Sequence, residues 1–269
     1  MAEGDIRHIF LDLSFFMVQR GHIFKDLSYN GKPTGIYYGI LKLVQDIRSE
    51  YPTSCIHIVR DGNPIAKREI YPAYKLNRDE VSYKPSKDFS LIKNLQKMLV
   101  CYKGVYIWYE PNYEADDLIA SLALKNPNNS VICSGDNDFL QLMCKGIKIS
   151  KTIRNKQFEF RTNEYVCDKY GVTPNQLLVF RALQGDKSDN ITGVVPTKKA
   201  RKLLECKSQE ELIDQLTEEE AKSFYTNLVI MDLTKFEKEP IHHKPLSVTP
   251  DVDLYKVFGL ERLVPDDYQ

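Results

Sequence analysis

Arg7-His-Ile-Phe-Leu-Asp-Leu13 reads as a short buried strand whose apolar run ends on a carboxylate, Asp12. The same pattern recurs outward from it. Cys55 to Val59 is a second apolar run and stops at Arg60-Asp61-Gly62. Val105 to Tyr109 is a third, with Glu114 beyond it, and Ser130 to Cys133 is a fourth, with Asp136 beyond it. Helical spacing separates these runs: Gly35 to Ile47, Ser86 to Tyr102 (through Phe89, Ile92, Leu95 and Leu99), and Ala115 to Lys125. Such alternation predicts a parallel sheet with helices on both faces. Ligands of such sheets bind beyond the carboxyl ends of the strands. Asp12, Asp61, Glu114 and Asp136 all fall there.

After Gly146 the texture changes. Lys148 to Thr152 and Gln157 to Phe160 have the pattern of a short β-hairpin. Glu164 to Leu233 is mostly helical, broken at Gly171-Val-Thr-Pro174, at Gly185 to Pro196 and before Ser208. The last stretch, from Glu237, holds Pro240, Pro245, Pro250 and Pro265 and is expected to run extended over the surface.

The 269 residues are 42% hydrophobic and 28% charged, the composition of an ordinary globular chain. No run of about 18 apolar residues occurs, so no membrane span is expected. The start Met-Ala-Glu-Gly-Asp has no basic and apolar signal region, which predicts a cytoplasmic protein. Six cysteines are scattered without a close pair, and several fall in apolar runs and read as small core residues in a reducing compartment. Net charge is +0, yet charge is unevenly placed. Arg60 to Lys103 holds ten Lys/Arg against five Asp/Glu, and Lys187 to Lys207 six against two. Glu110 to Asp138 reverses this, with six acids and Lys125 alone. An acidic patch between basic segments suits cations in the middle and phosphates gripped on both sides.

Further acids join the strand-end set: Asp116 and Asp117 beside Glu114, Asp138 beside Asp136, and Asp186 and Asp189 in Gly185-Asp-Lys-Ser-Asp-Asn-Ile191. Taken singly, each has an ordinary role as a helix cap or turn residue. Gathered at one sheet edge they would repel unless protonated or bridged by cations. Oxygen ligands without His or Cys select Mg2+ or Mn2+ over zinc. Two such ions about 4 Å apart can activate water and stabilise both oxygens of a phosphodiester displacement. No phosphate loop G-x-x-x-x-G-K-[ST] and no G-x-G-x-x-G occur, and Ser134-Gly135 lacks nucleophile-elbow spacing.

On Phe10-Leu-Asp12, Arg60-Asp61-Gly62, Tyr74-Lys75-Leu-Asn-Arg78, Glu114-Ala-Asp116-Asp117, Gly135-Asp136-Asn-Asp138 and Leu183-Gln-Gly-Asp186-Lys-Ser-Asp189-Asn-Ile191, the chain resembles the 5′-nuclease (flap endonuclease) family. That family includes the 5′-nuclease domain of bacterial DNA polymerase I and phage 5′-exonuclease/ribonuclease H enzymes. The resemblance implies a PIN-like parallel-sheet catalytic domain with a helical arch over 1–162. A helix–three-turn–helix duplex-binding subdomain over 163–236 and the extended tail over 237–269 would follow it. It implies Asp12, Asp61, Glu114 and Asp116 as ligands of a first metal, and Asp117, Asp136, Asp138, Asp186 and Asp189 as the group around a second. Lys67, Arg68, Tyr74, Lys75 and Arg78 match the arch, with Lys75 and Arg78 stabilising charge on the scissile phosphate. Gly193, Lys198, Lys199, Arg201 and Lys202 match the duplex-binding segment, where the family also binds K+. Here the chain departs from the pattern: Val195 stands where a second glycine is usual.

The implied activity is a two-metal, structure-selective 5′-3′ exonuclease or flap endonuclease of replication or repair. Its substrates would be duplex DNA with a 5′ flap, nick or RNA primer, cut by a monomer in a bacterial or phage-infected cell, near the nucleoid. The alternatives are a non-catalytic DNA-junction binder and a PIN-like single-strand ribonuclease. Tyr255 to Leu260 is a candidate contact for replication proteins, weighed against packing on its own domain.

Overall fold

The computed structural model describes residues 6–77, 88–154 and 156–268. Its centre is a six-stranded sheet. In chain order the elements begin with β1 (His8–Asp12), α1 (Leu13–Ile23), the short pair β2 (Ser28–Tyr29) and β3 (Lys32–Pro33), and α2 (Gly35–Glu50). Next come β4 (Cys55–Arg60), α3 (Ile65–Ile70), α4 (Phe89–Leu99), β5 (Val105–Tyr109), α5 (Ala115–Ala123) and β6 (Ser130–Cys133). The hairpin β7 (Lys148–Arg154) and β8 (Gln157–Phe160) then leads into α6 (Asn163–Tyr170) and α7 (Pro174–Gln184). Helices α8 (Thr197–Leu203), α9 (Gln209–Ile213), α10 (Glu218–Met231) and α11 (Asp253–Val257) complete the chain.

The strand order is β5-β4-β1-β6-β7-β8, parallel throughout except for the antiparallel β7–β8 pair. The chain builds outward from β1 in both directions, so β1 is where strand order reverses and where a crevice opens at the carboxyl edge. Alternation along β1 explains the two layers. Ile9 and Leu11 join one apolar cluster with α2 and α4, while Phe10 joins the other with α5, α7 and Phe224 of α10. The helices over 163–236 thus share a core with one face of the sheet.

The tail differs from its expected course. Residues 240–252 carry no helix or strand, but 253–257 form α11, and Tyr255 is fully buried in the first cluster with Phe258, Leu260 and Leu263. Tyr255 Oη donates to Met98 O (2.8 Å), Tyr102 Oη to Leu263 O (2.6 Å), and the Leu246 amide to Ile107 O on the edge strand (2.8 Å). Prolines fix the path between these anchors, while the aromatic residues supply the burial that holds the segment down. Of the stretch offered as a contact for replication proteins, Tyr255, Phe258 and Leu260 lie in this chain's own core, while Val257 is exposed. Among the described residues, no helix is long and apolar enough to cross a membrane.

Candidate metal centre

Local structure brings the acids to the carboxyl edge for identifiable reasons. Asp12 ends β1 and caps α1, its Oδ1 accepting from the Phe15 amide (3.1 Å). Asp61 follows β4 and accepts from the Ala115 amide (2.9 Å), tying that strand end to the start of α5. Gly62 has no alternative residue: a Cβ there would lie 2.1 Å from Glu110 O and 2.5 Å from Tyr113 O. In the first turn of α5 the Glu114 amide donates to Asp117 Oδ2 (3.4 Å), so Asp117 serves as a cap as well as a site residue. Beyond β6, Ser134 Oγ donates to Asp12 Oδ2 (2.8 Å) and accepts from the Asp136 amide (3.1 Å), while Asp136 Oδ1 accepts from the Asp138 amide (2.9 Å). The Asp186–Asp189 turn follows α7, where Gly185 adopts φ +71 and a Cβ would strike the Gly193 nitrogen at 2.5 Å.

Two carboxylate clusters result. Glu114, Asp116 and Asp117 each place an oxygen within 4.8 Å of the others, and so do Asp138, Asp186 and Asp189. Asp12, Asp61 and Asp136 stand outside these two groups but close enough for charge to couple them. Burial, then the Asp61 charge, pushes the Asp12 carboxyl up to about 7, with Asp136 adding to the effect. Burial, then Asp136, likewise pushes Asp138 to about 7 against the pull of Arg181.

Cationic side chains sit inside both clusters. Lys67 Nζ lies 3.0 Å from Glu114 Oε2, 3.2 Å from Asp116 Oδ1 and 3.1 Å from Asp117 Oδ1. Lys75 Nζ lies 2.5 Å from Glu114 Oε1 and 3.5 Å from Asp189 Oδ2. Tyr74 Oη joins the clusters, 2.8 Å from Glu114 Oε2 and 3.1 Å from Asp189 Oδ2. Arg181 Nη2 contacts Asp138 Oδ1 and Asp186 Oδ2, both at 2.6 Å. The carboxylates divide under this field. Burial alone would raise Glu114, but Lys67 and Lys75 hold it at about 2. Burial raises Asp116 well above its ordinary range, and the neighbouring Asp117 and Glu114 charges add to the rise.

These residues fit divalent cations. Six carboxylates in the two clusters face three cations, Lys67, Lys75 and Arg181. Buried Asp117 Oδ1 and Asp138 Oδ1 touch a cation but receive no well-aligned hydrogen bond. An all-oxygen set of this kind suits a hard ion.

Of the remaining expected residues, Arg68 is exposed and its Nε donates to Tyr74 O (3.2 Å); Arg78 lies outside the described residues. Lys198, Arg201 and Lys202 are exposed on α8, whereas Lys199 is engaged with Glu220 (3.1 Å). Gly193 packs on the Gln184 carbonyl, where a Cβ would approach to 2.4 Å. Val195 is buried in the second cluster, and the Val194 and Val195 amides both donate to Leu183 O (2.8 and 3.2 Å). Neither amide is therefore directed at a phosphate, in keeping with the departure at Val195. Sequence reasoning missed Ser134 and Arg181. The Ser-Gly-Asp turn was a signal for the first; for the second, the only signal was a basic residue one helical turn before Gly185.

The family model described as "5′-3′ exonuclease, N-terminal resolvase-like domain" matches residues 8–171. DNA polymerase I of Mycobacterium tuberculosis is 31% identical over 232 residues, 82% of this chain and 25% of that protein. A 5′-3′ exonuclease of Buchnera aphidicola is 31% identical over 194 residues, 69% of this chain and 65% of that protein. The chain thus spans about a quarter of the one relative and under two thirds of the other. Among solved structures, the bacteriophage T5 flap endonuclease, crystallised with DNA and metal ions, superposes with a TM-score of 0.65 at 18% identity, covering 87% of this chain and 92% of that one. The catalytic core of Rad2 in complex with DNA substrate superposes at 0.52 and 18% identity, covering 94% and 87%. Sheet topology, carboxylate placement and these likenesses agree: the chain belongs to the 5′-3′ exonuclease family.

Proposed function

We propose that the chain is a metal-dependent 5′ nuclease that hydrolyses phosphodiesters at 5′ ends, flaps or RNA primers of duplex DNA in replication or repair. The observation that carries this reading is the convergence of acids from five separate stretches: three of them supply two clusters bridged by Tyr74, and Asp12 and Asp61 stand beside these, coupled by charge. Asp12, Asp61, Glu114 and Asp116 would hold one Mg2+. Asp117, Asp136, Asp138, Asp186 and Asp189 would surround the second, with Mn2+ as a substitute. Bound there, the ions supply an activated water and charge stabilisation for the attacking and leaving oxygens.

The rest is done by side chains. Ser134 fixes Asp12 and Asp136 relative to each other, and Arg181 fixes Asp138 against Asp186. Lys75 reaches the centre from the strap over 65–77 and is placed to stabilise negative charge on a phosphate once its carboxylate partners are taken up by metal. Residues 163–236 serve as the duplex-binding part, with Lys198, Arg201 and Lys202 gripping the backbone by charge.

A substrate panel tests the reading: 5′-flap duplex, nicked duplex, primer RNA on DNA, and single-stranded RNA, each with Mg2+. Preference for duplexes with a free 5′ strand is expected. Preference for single-stranded RNA would transfer the case to a PIN-like ribonuclease.

A further inference from the structure

The segment 65–77 is strapped across the acidic centre by contacts of its 73–77 arm with the turn over 187–190. The Lys75 amide donates to Asp189 O (2.9 Å), Asn190 Nδ2 to Ala73 O (2.7 Å) and Asn77 Nδ2 to Lys187 O (2.9 Å). Beneath this strap Lys67 is 4% exposed and Tyr74 2%. A lysine is rarely buried so deeply, and this one spends its charge on three carboxylates at once. The strap also holds Lys75 at φ +56, a left-handed conformation costly for a lysine and kept only where surroundings impose it. The ammonium of Lys67 therefore lies among the oxygens of Glu114, Asp116 and Asp117, of which Glu114 and Asp116 belong to the proposed first metal position, and it reaches them only while the strap is down.

We infer that Lys67 is an internal competitor for the first metal position, so that loading a divalent ion there and lifting the strap over 65–77 are one coupled event. This rests on the metal reading proposed above. A cation held among three carboxylates and a second cation seeking the same oxygens exclude each other by charge and by space. A ligand that favours the strap-up state shifts the population by its differential affinity for that state. The strap also carries Lys75. Metal entry thus frees Lys75 from Glu114 at the moment when a phosphate could use it. In the closed state the protein is a nuclease with its own lysine in the metal's place.

Two measurements on the full chain test this. The first is Mn2+ binding, by calorimetry or electron paramagnetic resonance, for the wild type and Lys67→Met, a substitution that keeps length and removes charge. Tighter binding by the variant, on the order of tenfold, is expected; equal or weaker binding overturns the inference. The second is hydrogen exchange of the unsubstituted protein with and without saturating Mn2+, which decides the matter even if Lys67→Met does not fold. The Lys75 amide, bonded to Asp189 O, should exchange at least about tenfold faster with metal bound. Mn2+ binding with that amide still protected overturns the coupling while leaving the metal site intact. Absence of Mn2+ binding in both proteins overturns the coupling and the metal reading together.

Discussion

At the scale of single residues, the centre is governed by too much negative charge for the cations supplied. Arg181 shows the consequence. It touches Asp138 and Asp186 at 2.6 Å each, and Arg181→Met would leave two partly buried carboxylates facing one another. A loss of about 3–5 kcal/mol of stability is expected in metal-free buffer, read by urea unfolding, with partial recovery on adding Mg2+. The raised carboxyls set a pH dependence of unusual sign. Asp12 and Asp138 titrate near 3.8 when unfolded but hold a proton to about 7 when folded. Between those values the folded state binds more protons, so stability falls as pH rises through that window. Glu114 works the other way, held at about 2 against an ordinary 4.5, so its contribution is present above about 4.5 and lost as pH falls through about 2. Metal-free protein should therefore melt at a higher temperature near pH 5 than near pH 8, and divalent ion should raise the pH 8 value most. A melting temperature that rises steadily from pH 5 to pH 8 without metal would contradict this.

At the scale of elements, the strands and the acids near their ends were legible because a carboxylate follows each apolar run: Asp12 ends β1, Asp61 follows β4, Glu114 lies beyond β5 and Asp136 beyond β6. Tertiary partnerships were not legible. A Ser-Gly-Asp turn and a basic residue before Gly185 are visible locally, but the roles of Ser134 between Asp12 and Asp136 and of Arg181 as counter-charge of the second cluster depend on which loops meet. Glu114 and Asp117 posed the choice between helix cap and site residue, and Asp117 both caps α5 and stands in the first carboxylate cluster. The tail misled for a different reason: its prolines dominate local expectation, while burial of Tyr255 is decided by the surface left open beside α4. Tyr255→Ala should accordingly cost about 3–5 kcal/mol, measured by denaturant unfolding. An effect below about 1 kcal/mol would mean that the tail is not anchored as described. On α8, exposed Lys198, Arg201 and Lys202 should each contribute to the salt dependence of duplex binding. The triple alanine variant is expected to flatten the slope of log K against log salt by roughly two to three, without altering sequence preference.

At the scale of the molecule, one sheet with helices on both faces gathers distant acids at the edge where strand order reverses, and the strap over 65–77 lies across them. The arrangement makes a single demand, that Asp136 serve hydrolysis rather than folding or DNA affinity. The most direct measurement is cleavage of a 5′-labelled flap duplex in Mg2+ by wild type and Asp136→Ala, with binding of the same duplex measured alongside. The account predicts cutting near the junction by wild type, loss of cutting by about a hundredfold or more in the variant, and binding retained by both. Wild type that binds the flap but never cuts it, with Mg2+ or with Mn2+, would contradict the account and leave a junction-binding protein in its place.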